Sequence, residues 1–192
     1  YGEDTDEIRR YADDPLTRSV ARYAQARFSA FPNVHWCVSN DREVVPDDTE
    51  LTGRMVHAGS IDRIARDMAE REPWGTLLTN HQCRFKGYSF CDAPWSGMVI
   101  LEDLDQVHGQ LILDYRSRVK VPVTYADVWE FWLRNREVAE AVDFITIHIL
   151  PYWEDFPIAA GEAAAHVGAI RAQVAQAFPG RDIIIGEMGW PS

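Results

Sequence analysis

Ile183-Ile184-Ile185-Gly186-Glu187-Met188-Gly189-Trp190-Pro191-Ser192 is an apolar run that carries one carboxylate and then one indole to its tip. Three β-branched residues read as a short strand buried on both faces, and the glycines flanking Glu187 and Met188 let backbone and ligand approach closely. A carboxylate at the mouth of such a strand is costly unless it is used, which makes Glu187 a candidate nucleophile. A strand-end glutamate paired with a nearby arginine is the plain structural alternative. Trp190-Pro191 beside it fits a flat platform for a sugar ring.

The elements that must position Glu187 follow from periodicity. Asp14 can cap a helix with Pro15 at its first position, and Leu16, Val20, Tyr23, Ala24, Phe28 and Phe31 then recur at three- and four-residue steps as an apolar face. Strands are predicted over 33–38, 75–80, 98–101, 120–124 and 144–150, with the Glu187 strand as the sixth. A polar loop is expected over 42–59. Between the strands lie a helix capped by Ser60 with Ile61, Ile64, Ala65 and Met68 buried, a helix through Val107 to Tyr115, a Trp-bearing helix over 127–140 and an Ala-rich helix over 161–178 ended by Pro179-Gly180. The alternation implies parallel strands joined by helical crossovers, an α/β fold of (β/α)8-barrel type, incomplete at six βα units and forming a single domain over residues 1–192.

Polar residues gather at the predicted C-terminal strand ends: Asn40 and Asp41, His81 and Gln82, Glu102 and Asp103, His148, and Glu187. In a barrel of this type that rim is where active sites are built. His81, Gln82 and Glu102 suit hydrogen bonds to a sugar, and His148 is placed to orient Glu187. Tyr152, Trp153 and Trp190 are candidate stacking rings, whereas Trp129 and Trp132 on helix faces belong to the core and Glu154-Asp155 reads as a solvated turn. The spacing of His81, Glu102, Asp103 and His108 does not support a metal site, and no cofactor is expected.

Composition limits the partners. Thirty acidic against nineteen basic side chains give a net charge of -11, which repels nucleic acid and anionic lipid surfaces. No apolar run is long enough to insert in a membrane. Cys37, Cys83 and Cys91 form neither a disulfide framework nor a zinc motif, with Cys83 and Cys91 the one pair that could bridge a loop. The acidic N-terminus is unlike a signal peptide, and a chain not starting at Met is expected to have lost a leader or a longer N-terminal portion, so a soluble cytoplasmic or secreted location is open.

From about Val121 to Ser192, three ordered stretches closely resemble bacterial members of glycoside hydrolase family 17, the β-1,3-glucanases and glucanosyltransferases. They are Pro122-Val123-Thr124-Tyr125-Ala126-Asp127-Val128-Trp129-Glu130-Phe131-Trp132, then Asp143-Phe144-Ile145-Thr146-Ile147-His148-Ile149-Leu150-Pro151-Tyr152-Trp153-Glu154, then Gly186-Glu187-Met188-Gly189-Trp190-Pro191-Ser192. The resemblance implies a retaining (β/α)8 barrel with Glu187 as nucleophile. Residues 1–120, through Asn33-Val34-His35-Trp36, Ser39-Asn40-Asp41, Asn80-His81-Gln82 and the Trp95 to Gly109 segment, more loosely resemble apiosidase-like glycoside hydrolases. By that resemblance Asp41 is the acid/base, with Asn40 placed to hold a sugar hydroxyl.

The chain therefore reads as two barrel segments joined near 118–124, and two functions stay open. One is a retaining hydrolase or transglycosylase on β-linked glucans, probing carbohydrate with Glu187 and Asp41 about 5 to 5.5 Å apart. The other is a catalytically inactive fragment or chimeric scaffold that binds carbohydrate weakly. Open sheet edges would also permit a homodimer.

Overall fold

A computed structural model of the chain describes residues 8, 10–11, 13–82, 88–101, 109–152, 154 and 156–189. The fold is a mixed α/β arrangement in which the described strand pairs run parallel. Two compact units divide it, Tyr1–Leu104 and Asp105–Ser192. No helix among the described residues is long and apolar enough to cross a membrane.

The first unit opens with α1 (Pro15–Phe28), which starts as the sequence requires: Asp14 is extended and its carboxylate accepts the Leu16 and Thr17 N–H groups. Strand β1 (Trp36–Cys37) pairs with β4 (Leu78–Thr79). Both are shorter than the runs predicted around them. Inside the expected polar loop lies a second parallel pair, β2 (Glu43–Val45) with β3 (Met55–His57). Val44, Val45 and Val56 of this pair are buried. The helix that follows, α2 (Ala58–Glu70), buries Ile61, Ile64, Ala65 and Met68 as predicted. Its start differs: the cap is not Ser60, since the helix begins two residues earlier and the Gly59 N–H donates to Asp47 Oδ1 at 2.7 Å. A Cβ on Gly59 would lie 2.2 Å from Asp47 Oδ2, so a side chain there would displace that carboxylate. Strand β5 (Val99–Leu101) is wholly buried.

Helix α1 presents the opposite face from the one its apolar spacing implies. Leu16, Val20 and Tyr23 are 72%, 61% and 65% exposed, while Arg22 and Gln25 point at α2. The reason is a set of polar partners far away in sequence. Gln25 donates to the Met68 carbonyl at 2.6 Å, and Arg22 and Tyr11 both reach Asp67. A buried amide with a dedicated acceptor outweighs an apolar stripe that solvent can tolerate.

In the second unit, α3 (Gly109–Arg118) leads into β6 (Val123–Val128), β7 (Ile145–Ile149) and β8 (Ile183–Met188), paired in that order. Between β6 and β7 come α4 (Trp129–Arg134) and a 3-10 turn over Arg136–Glu140. Between β7 and β8 come a short 3-10 turn and α5 (Ala163–Ala177). Strand β6 runs four residues past the predicted Thr124 end, and the single helix expected over 127–140 is broken at Asn135. Tyr125, Phe131, Trp132 and Phe178 pack edge-on and tilted against one another. Trp132 is fully buried, as expected, and its indole donates to the Thr146 carbonyl at 2.8 Å.

Strand β7 is buried throughout, whereas Ile183, Ile184 and Ile185 of β8 are only half-buried. This corrects the expectation that the Glu187 strand is covered on both faces: among the described residues β8 is the edge strand of its sheet. Pro179-Gly180 ends α5 as predicted, with Gly180 at φ 78° where a side chain would be strained.

Asp67 ties α1, α2 and Tyr11 together. Burial pushes its carboxyl up, but bonds from Arg22, Tyr11 and Arg71 outweigh it and hold the pKa at about 2. A depressed folded-state value gives stability that is present above the unfolded pKa of about 4 and is lost as pH falls toward 2. Urea unfolding of the wild type should therefore lose stability across that window, and Asp67→Asn should flatten the loss while lowering stability at neutral pH.

Candidate functional site

Strand pairing in the second unit sets the directions of its side chains. Ala126 stands opposite Thr146 and Val128 opposite His148, so these share one face with Thr124. Val123, Tyr125 and Ile145 to Ile149 at odd positions take the other, which the aromatic cluster covers. On the first face the polar groups are paired: the Thr124 hydroxyl donates to the Phe144 carbonyl at 2.8 Å and lies 3.0 Å from the Thr146 hydroxyl.

Regular pairing of β8 would put Glu187 on the wrong face. Ile184 is opposite Thr146 and Ile185 opposite Ile147, so Gly186 would meet His148 and Glu187 would meet Ile149. Instead the register shifts, and Glu187 is opposite His148. Gly186 is the extra residue of a β-bulge, which re-aims the side chain that follows. A Cβ on Gly186 would lie 2.7 Å from Thr146 Cγ2 and 3.2 Å from the His148 ring. Only glycine can occupy that position without moving the histidine. Gly189 has no such role, because its Cβ would meet nothing closer than 3.7 Å.

Glu187 thereby sits at the C-terminal end of β8, with its side chain a quarter exposed and Oε2 3.8 Å from Nδ1 of the buried His148. Tyr152, after β7, is 57% exposed and available for stacking. Glu154 is no solvated turn. It accepts the Leu150 N–H at 2.6 Å and the Trp129 indole at 3.1 Å, which locks the loop after β7 to α4. Trp129 is accordingly a half-buried brace rather than core. Burial pushes the neighbouring Glu130 carboxyl up, with the charge of Glu154 adding to the effect.

In the first unit, the rim beyond β1 and β4 holds Asn40, Asp41, His81 and Gln82. His81 is 3% exposed and its Nδ1 lies 2.6 Å from Asn40 Oδ1. An amide oxygen only accepts, so Nδ1 carries a proton. Asp41 Oδ1 is 3.8 Å from the same nitrogen. Asp41 also holds φ at 49°, a left-handed conformation uncommon outside glycine, asparagine and aspartate. Gln82 is buried and turned to its own loop, donating to Ser89 Oγ and accepting the Ser89 N–H.

Asn80 was not among the expected site residues, yet it shapes this rim. Its fully buried Oδ1 accepts both the N–H and the hydroxyl of Ser39, at 3.1 and 2.6 Å, which pins the turn leading to Asn40 and Asp41. The only signal in sequence is an amide at a strand end, shared with Asn40. Glu102, Trp153 and Trp190 lie outside the described residues. Cys37 and Cys91 carry thiols, and Cys83 also lies outside.

Residues 99–192 match the family described as the BtgE/BtgC glycoside hydrolase domain. No curated protein and no solved structure gave a match to the chain. The matched stretch contains His148, Tyr152 and Glu187, and it supports a relation to glycoside hydrolases and a glycosidase-like function.

Proposed function

We propose that the chain is a retaining glycoside hydrolase or transglycosylase acting on β-linked glucans of the β-1,3 type. The observation that carries this reading is Glu187: a bulge turns it to the face of a buried histidine at a strand end, inside the stretch that matches a glycoside hydrolase domain. Glu187 attacks the anomeric carbon while Asp41, as acid, protonates the departing oxygen. Asp41 then takes a proton from water or from an acceptor sugar hydroxyl, whose oxygen displaces Glu187. This course needs the two carboxyls about 5 to 5.5 Å apart, and no cofactor enters it. Asn40, His81, Gln82, Glu102, Tyr152, Trp153 and Trp190 bind the glucan, and His148 positions Glu187. The parallel strands then belong to a (β/α) barrel of six units in one domain, with a segment junction near 118–124 and sheet edges open to a second copy.

A composite of two barrel segments with little turnover is the second reading. The division of the chain into two compact units, Tyr1–Leu104 and Asp105–Ser192, is the observation that favours it.

Three measurements test the proposal. A 2-fluoro-glucoside should form a covalent adduct that peptide mapping places on Glu187. A label elsewhere, or hydrolysis that continues without one, removes Glu187 as nucleophile, and an inactive composite takes no label. Asp41→Asn should slow glucan cleavage by about 10²- to 10⁴-fold yet slow an activated aryl glucoside far less, because a good leaving group needs no proton. Gly186→Ala should lower kcat by about 10²-fold, the cost of misplacing a reacting group by about 1 Å, with a circular dichroism spectrum like the wild type.

A further inference from the structure

A cleft of about 500 Å³ opens on the first unit between α1 and the turn after α2, with Arg22, Gln25, Ser29, Arg71, Pro73 and Trp74 among its lining residues. Its volume falls within the range of small-molecule sites. None of these residues has a part in the glycosidic chemistry proposed above.

The cleft combines an aromatic face with unengaged cationic donors. Trp74 is 67% exposed, and its backbone is fixed by donation of its N–H to Glu72 Oε1 at 3.0 Å. Asp67 anchors both arginines: Arg22 gives it Nε and Nη2 at 3.3 and 2.9 Å, and Arg71 gives Nε at 3.1 Å. Arg22 also bonds Tyr11, and among the described residues both terminal nitrogens of Arg71 remain for a ligand. Asp67 and Glu72 balance the two guanidinium charges, so the preference for an anion rests on the donors that Asp67 does not occupy. Helix α1 adds Arg18 and Arg27 and no acidic residue, in a chain whose net charge is -11. Glu72 is committed to the Trp74 N–H, the Gln25 amide and the Thr76 hydroxyl.

The acceptors of Ser29 are already used. The Ser29 hydroxyl takes the Trp36 indole N–H at 2.8 Å, and the Ser29 carbonyl takes the Thr76 hydroxyl at 3.2 Å. What remains is a flat apolar face beside fixed guanidinium donors, and its complement is a ring with an anionic substituent. We propose that this cleft binds an anionic pyranose, a sugar ring bearing a carboxylate or a phosphate, with the ring stacked on Trp74 and the anion held by Arg71.

The test is a two-dimensional NMR titration of the whole chain with methyl glucuronide, a hexose phosphate and neutral methyl glucoside. The Trp74 indole N–H resonance should shift with at least one anionic sugar, bound at least tenfold more tightly than the glucoside. A response to the glucuronide alone assigns a uronate, and a response to the phosphate alone assigns a sugar phosphate. Trp74→Ala and Arg71→Gln should each weaken that binding at least tenfold; Trp74→Ala should melt near the wild type because its side chain is exposed, and Arg71→Lys should keep the charge beside Asp67 and recover part of the affinity. Equal binding of the neutral glucoside, unchanged affinity in Arg71→Gln, or no shift at Trp74 overturns the proposal. Glu187→Gln should leave the titration unchanged, which separates this site from the fate of the glycosidase reading.

Discussion

A single extra residue in β8 decides what the second unit can do. Side chains on a strand alternate between faces, so the position of Glu187 relative to His148 is a question of parity. Without the Gly186 bulge the carboxylate would share the face of Ile149, on the side of the aromatic cluster and away from His148. With it, Glu187 joins Thr146 and His148 on the face where polar groups are already paired. The bulge in turn rests on the absence of a Cβ, because Thr146 and His148 fill the space one would need.

Edge position is what makes this arrangement affordable in structural terms. A bulge disrupts the hydrogen-bond ladder with each neighbouring strand, and β8 shares a ladder with β7 alone among the described residues. Strand β7 cannot deviate in the same way. It is buried along its whole length, its carbonyl at Thr146 takes the Trp132 indole, and β6 and β8 flank it. The rigid strand therefore carries the histidine, and the deformable one carries the carboxylate.

Sequence patterns located these elements where the deciding interactions are local. Asp14 and Pro15 start α1 because a cap acts within three residues, and α2 shows its buried face because Ile61, Ile64, Ala65 and Met68 are its own apolar positions. The face of α1 was illegible for the opposite reason: Gln25 and Arg22 find Met68 and Asp67 more than forty residues away. Gly186 and Gly189 look alike in sequence, and only the register of β7 with β8 separates the bulge residue from the spacer. The Glu154 reading failed likewise, since Trp129 and Leu150 are brought to it by the turn of the chain after β6 and β7. The short pair β2 and β3 was hidden in a polar stretch because three residues show no period.

Both proposed carboxyls stand 3.8 Å from a buried imidazole, His81 for Asp41 and His148 for Glu187. That distance is too long for a hydrogen bond and short enough for a charge to be felt. Double displacement requires Glu187 ionised and Asp41 protonated in the same cycle. A cationic His81 would hold Asp41 ionised and remove the acid, so the reaction calls for a neutral ring there. Asn40 does not choose between the two states, since either form offers a proton at Nδ1. The amide fixes the ring orientation. In the proposed course Asn40 would act on the acid through the histidine, and Asn80 pins the Ser39 turn that leads to Asn40 and Asp41.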